Sequence, residues 1–428
     1  MEIYTVQKGD TLFGVSRRFG VPAGLLAVWN AVPAPYDLVP GQALLVLTPE
    51  VLYTVREGDT YEGISARTGV PRRTLYANNP NLYGGTAPLY AGQSLVLSFA
   101  EKPQARAFFT GYAYPFIESK VLFWGLPYIG ALVPFTYGFS ENGALISLDD
   151  EALLAAAQSM GTGALMHLST LTENGSFSSE RAERLFASPA AMDTLARNVL
   201  DEIEEKGYAG LDIDFEFIPA ESALAYADFI ARLRSLLAPR GKTVMAALAP
   251  KTRADQPGLL YEGHNYAAVG AAADAVLLMT YEWGYTYGPP MAVAPINAVR
   301  SVLDFAVSVI PREKIYMGLP NYAYDWVLPY KQGYSRATSI GNDEAVAIAR
   351  RFGAEIKFDE SAKAPYFSYY SAGEQHEVWF EDARSMSAKL RLVNEYGLYG
   401  AGYWNLMRPY PQGWVLLNAL YEVRDSHR

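Results

Sequence analysis

The sequence of 428 residues predicts an α/β protein: a (β/α)8 barrel preceded by two small βααβ modules. Three observations lead to this prediction. A segment near the start of the chain is repeated after 49 residues, eight strand-like runs follow it, and one of these runs carries three acidic residues at alternate positions. Strands that alternate with helical segments are typical of a parallel sheet, and eight such units close a barrel.

The internal repeat defines the two modules. Tyr4-Thr-Val-Gln-Lys-Gly-Asp-Thr11 returns as Tyr53-Thr-Val-Arg-Glu-Gly-Asp-Thr60, and the match continues to the end of each unit. Each unit is expected to form a strand, a turn, a short helix begun by the threonine, a second helix after a proline, and a closing strand. We place the modules at residues 1–48 and 51–98, and a linker at 99–106 that leads to a barrel with a separate core.

The barrel is predicted over residues 107–428. Its eight strand-like runs are residues 108–115, 131–139, 164–171, 210–217, 243–250, 275–283, 315–322 and 397–406. Most are separated by 20 to 35 residues with a helical pattern. The last gap is longer, so we expect a small α+β insertion at 324–380, after the seventh strand. Such an insertion would wall one side of the face formed by the C-terminal strand ends.

The fourth run places Asp212, Asp214 and Glu216 two residues apart, with apolar residues between them. Side chains two apart on a strand share a face, so the three acids face one pocket while the apolar residues face helices. Crowding there pushes the pKa values of the carboxyl groups apart. The alternative is a solvated edge strand. The helical patterns on both sides, at 192–205 and 223–237, favour a catalytic strand of a parallel barrel instead.

Composition excludes several classes of function. The chain has no cysteine, and its four histidines lack metal-ligand spacing, so we predict no metal and no cofactor. A net charge of −10 argues against a nucleic-acid partner. No apolar run reaches the roughly eighteen residues of a membrane span, and the first residues do not resemble a signal peptide. No obligate protein partner is evident.

Each module resembles the LysM domain, which binds glycans containing N-acetylglucosamine. The shared features are the opening motif, the helix break, an asparagine and a closing Gly-Gln pair. The resemblance implies that the sugar lies between the loop after the first strand and the loop after the second helix. A turn or capping role for the two aspartates is the alternative. The implied glycan-binding residues are Gly9, Asp10, Thr11, Leu12 and Asn30 in the first module, and Gly58, Asp59, Thr60, Tyr61 and Asn79 in the second.

The barrel resembles glycoside hydrolase family 18, whose fourth strand carries D-G-x-D-x-D-x-E. Ala209 replaces the first Asp, and the rest of the motif is present up to Glu216. Met279-Thr-Tyr281, Met317-Gly-Leu-Pro-Asn-Tyr322 and Trp404 also match. The family's S-x-G-G on the third strand is absent, because His167-Leu-Ser-Thr170 stands there.

This resemblance implies a retaining glycosidase in which the substrate's own acetamido group is the nucleophile. Glu216 would be the general acid, Asp214 would orient the acetamido group, Asp212 would tune Asp214, and Tyr281 would bond the acetamido carbonyl. Trp404 would form the floor of the sugar pocket. A core role for Tyr281 and Trp404 is the alternative. The further candidate substrate-binding residues are Met279, Glu282, Asn321 and Tyr112, of which Glu282 and Asn321 are alternatively rim residues.

The tandem modules and the stretch from His376 to Ser385 resemble the spore cortex-lytic N-acetylglucosaminidases of spore-forming bacteria. The resemblance implies hydrolysis of β-1,4 bonds after N-acetylglucosamine in peptidoglycan, at the spore cortex or coat or the cell wall. Two alternatives remain. A chitinase or chito-oligosaccharide hydrolase, acting on a chitin-like glycan, would share every catalytic residue. A non-catalytic glycan-binding spore or wall protein would not need Glu216.

Overall fold

The computed structural model describes residues 1–425, so the end of the predicted barrel domain, 426–428 with His427, lies outside the described residues. The N-terminal modules have the expected βααβ order. Thr11 and Thr60 each cap a first helix, because their hydroxyls accept hydrogen bonds of 3.0 Å from Gly14 N and Gly63 N. The elements are β1 (Glu2–Thr5), α1 (Leu12–Phe19), α2 (Ala23–Trp29), β2 (Ala43–Val46), β3 (Pro49–Thr54), α3 (Tyr61–Thr68), α4 (Arg72–Asn78), a 3-10 turn (Pro80–Gly85) and β4 (Ser94–Phe99).

The barrel begins at Ala105 and alternates strands with helices. A short hairpin, β7 with β8, follows its second strand. The first four strands of the barrel are β5, β6, β9 and β10. The elements are β5 (Ala105–Ala113), α5 (Ser119–Gly125), β6 (Ala131–Pro134), β7 (Gly138–Phe139), β8 (Leu145–Ile146), α6 (Glu151–Ser159), β9 (Gly163–Ser169), α7 (Ser179–Phe186), α8 (Pro189–Lys206) and β10 (Gly210–Asp214).

The second half of the barrel contains the insertion that the long gap predicts. Strands β14 to β18 form a five-stranded antiparallel sheet in the order β15-β14-β18-β17-β16, with α12 as its helix. The elements are α9 (Ala223–Leu237), β11 (Thr243–Leu248), α10 (Tyr266–Ala272), β12 (Ala275–Leu278), α11 (Ile296–Val309), β13 (Ile315–Pro320), β14 (Ala323–Leu328), β15 (Thr338–Ile340), α12 (Asn342–Phe352), β16 (Lys357–Asp359), β17 (Ala364–Ser371), β18 (Glu374–Trp379), α13 (Ala383–Glu395), β19 (Gly400–Trp404), α14 (Pro411–Leu420) and β20 (Tyr421–Val423).

Eight parallel strands close the barrel, since β19 pairs with β5 through Gly400 opposite Phe108. The predicted (β/α)8 fold with an α+β insertion after strand seven is therefore confirmed. Because all eight strands run in the same direction, their C-terminal ends meet at one mouth. The insertion follows β13 and lies at this mouth.

The first module shares a hydrophobic core with the barrel, so the expectation of separate cores is wrong for that module, whereas the second module has a small cluster of its own around Leu75 and Leu95. Trp29 of the first module is fully buried and belongs to the same cluster as Trp414 of α14. Polar contacts reinforce the packing: the Gln412 amide donates to Asn30 Oδ1 at 2.8 Å, and the Tyr128 hydroxyl donates to Ala77 O at 2.8 Å. Strand β4 ends at Phe99 and β5 begins at Ala105, so the connection is shorter than the predicted linker.

Candidate active site

The three acids of the fourth strand lie at the mouth of the barrel. Strand β10 ends at Asp214, so Glu216 lies just beyond the strand. Alternation predicted a strand to Phe217, packed on helices. Instead Phe217 has a positive φ of 56° and is 45% exposed. The chain leaves the sheet where Phe215 is anchored, since its ring stacks on Phe139 and Tyr226 at 5.3 and 5.5 Å.

Asp212 is the deepest of the three acids and is fully buried. The Tyr112 hydroxyl donates to Asp212 Oδ2 at 2.6 Å, and His167 Nε2 lies 3.9 Å from the same oxygen. Burial raises the pKa of Asp212 to about 6, although His167 and the Tyr112 hydrogen bond oppose that rise. Asp212 therefore changes charge near pH 6.

Glu216 faces the cavity, and none of the described residues forms a hydrogen bond with its carboxyl group. Burial, then the charges of Asp214 and Glu282, raise its pKa to about 8. The carboxyl group of Glu216 therefore keeps its proton at neutral pH. A protonated carboxylic acid in a partly desolvated cleft is suited to protonate a leaving group.

Tyr281 and Glu282 follow strand β12 and line the same cavity. Tyr281 is buried, and its pKa is raised well above the usual value by burial and by the nearby charges of Asp214 and Glu216, so its hydroxyl remains a hydrogen-bond donor. Glu282 has a positive φ of 68°. Its Oε1 accepts hydrogen bonds of 2.6 Å from Tyr322 and 3.2 Å from Tyr324, which follow strand β13.

Aromatic side chains surround the acids and form a cavity of about 380 Å³. Trp404, at the end of β19, packs its ring against Tyr112 at 5.6 Å and Phe135 at 4.9 Å and lines the cavity. Aromatic faces of this kind stack on the apolar faces of sugar rings. The lining residues are Tyr112, Tyr114, Phe135, Phe177, Asp214, Glu216, Ala247, Pro250, Leu260, Tyr261, Leu277, Met279, Tyr281, Glu282, Trp283 and Trp404.

Asn321 does not reach this cavity, so its prediction as a substrate-binding residue is wrong. Its side chain is fully buried, and its amide donates to Asn405 O and Arg408 O, both at 2.9 Å. The amide ties strand β13 to the loop after β19. Tyr112, Met279, Glu282 and Trp404 do line the cavity, as expected of substrate-binding candidates.

Several side chains around the acids are not predicted from the sequence, among them Tyr114, Phe135, His167 and Phe177. Tyr114, Phe135 and Phe177 line the cavity. His167 lies directly opposite Asp212 in the register of β9 and β10. The mismatch with the family's third-strand motif is the sequence signal for His167, because a residue at that position of the neighbouring strand lies beside the acids on the same side of the sheet.

The predicted glycan-binding residues of the modules include exposed loop residues, aspartates whose carboxylates are used in turns, and buried residues. Gly9, Thr11, Gly58 and Thr60 are exposed on the loops after the first strands. The carboxylates of Asp10 and Asp59 are taken up by turns, because each accepts hydrogen bonds from a tyrosine hydroxyl and a backbone N–H three residues earlier. Their turn role, the stated alternative, explains these contacts.

Leu12, Asn30 and Asn79 are buried, so their side chains are not available to a glycan. The Asn30 amide donates to Leu26 O and Leu45 O, and its oxygen accepts from Leu45 N and Gln412. All of its hydrogen-bonding capacity is used inside the protein. Asn79 repeats the pattern by donating to Leu75 O and Val96 O. The prediction that these side chains bind sugar is wrong. Leu12 is part of the core, and the two asparagines hold the second helix of each module to its closing strand.

Residues 1–425 contain neither a metal-ligand cluster nor a helix that could span a membrane. In that part of the chain no group of three or more histidine, aspartate or glutamate side chains is placed to hold a metal ion. None of the helices within it combines the length and the apolar character needed to cross a membrane.

Comparison with known proteins identifies the family. The model of glycosyl hydrolases family 18 matches residues 136–408, and the LysM domain model matches residues 4–46 and 53–98. The chain belongs to glycoside hydrolase family 18. This family 18 enzyme carries two LysM domains ahead of its barrel, and is thus a glycosidase.

Several of the proteins most similar to this family 18 protein are from Bacillus. The cortical fragment-lytic enzyme of Bacillus subtilis (strain 168) is 39% identical over 298 residues, which are 69% of this chain and 69% of that protein. The crystal structure of the spore cortex-lytic enzyme SleL of Bacillus megaterium QM B1551 matches with a TM-score of 0.83 and 34% identity, over 99% of this chain and 98% of that one. SleL of Bacillus cereus matches with a TM-score of 0.84 and 33% identity, over 100% and 99%.

Proposed function

We propose that this protein hydrolyses β-1,4 bonds after N-acetylglucosamine in spore-cortex peptidoglycan fragments, by retaining, substrate-assisted catalysis. The observation that supports it most is Glu216, a carboxylic acid that keeps its proton at neutral pH at the edge of an aromatic cavity. Asp214 lies two residues earlier, on the same face of the strand, and supplies a negative charge beside Glu216. That pair is what acid catalysis with an internal nucleophile requires.

In the first step, Glu216 gives its proton to the glycosidic oxygen as the bond from that oxygen to the anomeric carbon breaks. The carbonyl oxygen of the substrate's acetamido group forms a bond to the anomeric carbon, which produces a cyclic oxazolinium cation. Asp214 accepts a hydrogen bond from the acetamido N–H and stabilises this cation, and Tyr281 donates to the acetamido group. Trp404 stacks beneath the sugar ring.

In the second step, water attacks the anomeric carbon and gives its proton to the Glu216 carboxylate. The oxazolinium ring opens and the acetamido group is restored. The product therefore has the β configuration of the substrate. Asp214 and Glu216 come from one strand and its end, so they approach the sugar from the same side. This arrangement supports a nucleophile from the substrate rather than from the protein.

The substrate follows from the mechanism and from the relatives. The sugar whose bond is cleaved needs an acetyl group, so a muramic lactam cannot occupy that place and N-acetylglucosamine can. Two of the most similar solved structures are spore cortex-lytic enzymes, and a curated relative is named a cortical fragment-lytic enzyme. We therefore propose cortex fragments as the substrate and the spore cortex or coat, or the cell wall, as the location.

The two LysM domains would hold the enzyme on its glycan, and the first offers the more open surface. Its Phe13 is 57% exposed and packs edge-on against Tyr36 at 6.0 Å. This pair bridges the loop after β1 and the loop after α2. Exposed aromatic rings are suited to sugar stacking.

The second LysM domain lacks this aromatic pair. Glu62 stands at the position of Phe13, and the Tyr61 hydroxyl donates to Ala87 O at 2.5 Å, which joins the two loops. The loop after α4 also packs against the barrel, where the Tyr83 ring lies 4.7 Å from that of Trp124. We propose that the first domain provides most of the glycan binding.

The catalytic proposal is tested with purified cortex fragments and with chitin oligosaccharides, analysed by mass spectrometry and by proton NMR of fresh product. We expect cleavage after N-acetylglucosamine in cortex fragments, an initial β anomer, and inhibition by a thiazoline analogue of the oxazolinium. Glu216→Gln should lower turnover by about 10²- to 10⁴-fold. An initial α anomer would contradict the mechanism, and faster cleavage of chitin than of cortex would favour the chitinase alternative.

The binding proposal is tested on the full-length Glu216→Gln protein, so that the polymer is not digested. Retention on insoluble peptidoglycan should fall by roughly 2- to 10-fold when Phe13→Ala is added, the worth of one aromatic contact. Glu62→Ala, the matched change in the second domain, should leave retention unchanged. A larger loss for Glu62→Ala than for Phe13→Ala would reverse the assignment.

A further inference from the structure

His167 occupies a fixed position in the wall of the barrel beside the acids. It is fully buried in the middle of β9 and lies directly opposite Asp212 on β10. Its Nδ1 is 2.6 Å from Thr136 Oγ1. Its ring packs against Phe135 at 4.6 Å and meets Tyr112 edge-on at 5.7 Å. These contacts leave the ring no freedom to turn.

The fixed ring points Nε2 at two carboxylates. Nε2 lies 3.9 Å from Asp212 Oδ2 and 3.7 Å from Asp214 Oδ2, and forms no hydrogen bond to a described protein group. Asp212 Oδ1 and Asp214 Oδ1 are also buried without a partner. A buried nitrogen between two carboxylates is favourable only when it carries a proton.

The hydroxyl of Thr136 decides which nitrogen holds that proton. When Thr136 donates to Nδ1, the neutral imidazole carries its single proton on Nε2, facing the acids. Thr136 has a single hydroxyl proton, and Ser169 Oγ at 2.9 Å and Tyr137 O at 3.1 Å are also within its reach. When Thr136 donates to either of them, it accepts a hydrogen bond from Nδ1 instead. The titratable groups that face the ring are therefore Asp212, Asp214 and Tyr112.

We propose that His167 is a positioning residue that acts through Asp212 and Asp214, because its Nε2 proton is directed at both carboxylates and holds them turned toward the barrel interior. This inference rests on the roles proposed above for Asp214 and Glu216. The charge of Asp214 is one of the two nearby charges that, after burial, raise the pKa of Glu216. His167 itself does not touch the substrate.

The proton on His167 is measured first in the unaltered protein by nitrogen NMR with labelled histidine. The chain has four histidines, so the spectrum of His167→Gln assigns the signal by its disappearance. We expect a neutral ring protonated on Nε2, or a ring protonated on both nitrogens at low pH. A ring protonated on Nδ1 alone would overturn the inference, because Nε2 would then present a lone pair to two carboxylates.

The functional test compares His167→Met, which fills the space without a donor, with His167→Gln, whose amide keeps an N–H in the same direction. His167→Met should lower kcat by about 10- to 100-fold, because both carboxylates lose the electrostatic contact with the imidazole N–H, with little change in KM. Without the nearby imidazole the pKa of Asp212 rises further, so the acidic limb of the kcat/KM profile should move to higher pH. His167→Gln should restore part of both.

Equal losses in the two variants, with an unchanged pH profile, would mean that His167 only fills space and would overturn the inference. Glu216→Gln is measured in the same assays. If that variant keeps its activity, the proposed catalytic roles fail. If it is inactive while His167→Met behaves as wild type, only the role of His167 fails.

Discussion

Glu216→Gln should make the protein more stable at neutral pH, in addition to its effect on turnover. The pKa of Glu216 is raised from 4.5 to about 8 in the folded state, because burial and two nearby charges oppose ionisation. The unfolded chain ionises this group above pH 4.5. The stability associated with the neutral carboxyl is therefore fully present below pH 4.5 and is lost as the pH rises toward 8.

The magnitude follows from this shift. At pH 7 the gap between 4.5 and 7 is 2.5 pKa units, which at about 1.36 kcal/mol per unit sets an upper limit of about 3.4 kcal/mol. The cavity is open to water and Glu216 interacts with Asp214, so we expect about 1 to 3 kcal/mol. Gln removes this penalty, because it has the same shape and no charge to lose.

The assay is equilibrium unfolding of wild type and Glu216→Gln at pH 4, 7 and 8. The two should be equal at pH 4, and the variant should be the more stable at pH 7 and 8. Glu221→Gln, an exposed glutamate from the next loop, serves as the control and should show no such divergence. A Glu216→Gln protein that gains nothing at pH 8 would show that Glu216 ionises at an ordinary pH. The reasoning for its acid role would then fail as well.

Four other outcomes are expected. The kcat/KM of the wild type should fall above about pH 8, as Glu216 loses the proton it must donate; a flat profile to pH 10 would contradict this. Tyr112→Phe removes the hydrogen bond to Asp212, so it should lower kcat by about 10-fold and shift the acidic limb upward, as measured by steady-state kinetics. Asn30→Ala leaves buried backbone groups without partners and should destabilise the protein by about 1 to 3 kcal/mol in denaturant titrations. Residues 105–428 produced alone should melt at a lower temperature than the whole chain, because the core that contains Trp29 would be opened; an equal melting temperature would restore the idea of separate cores.

The acid strand shows how far a local pattern can be taken. Alternation in Gly210–Glu216 correctly predicts that Asp212, Asp214 and Glu216 face one side, because the side-chain period of a strand is fixed by its backbone. It does not predict where the strand ends. That point depends on Phe215, whose ring stacks on Tyr226 of the next helix, α9, and on Phe139 of β7, which is distant in sequence.

The repeat of the modules shows the opposite limit. The resemblance of each module to the LysM domain predicts that the matching Asn30 and Asn79 bind the glycan. The structure buries both and uses their amides to join helix to strand. Whether a polar side chain points to solvent or to backbone is set by packing, which the repeat alone does not reveal.

The sequence by itself determined the order of elements, the barrel with its insertion, the two βααβ modules and the row of acids, because these depend on periodicity and on residues close together in the chain. Tertiary structure alone decided the rest. It placed His167 opposite Asp212, took Asn321 out of the cavity, and merged the first module with the barrel in one core. The physical reason is that burial, pKa and contact depend on which distant segments are pressed together, and the free energy of that packing is a property of the whole fold.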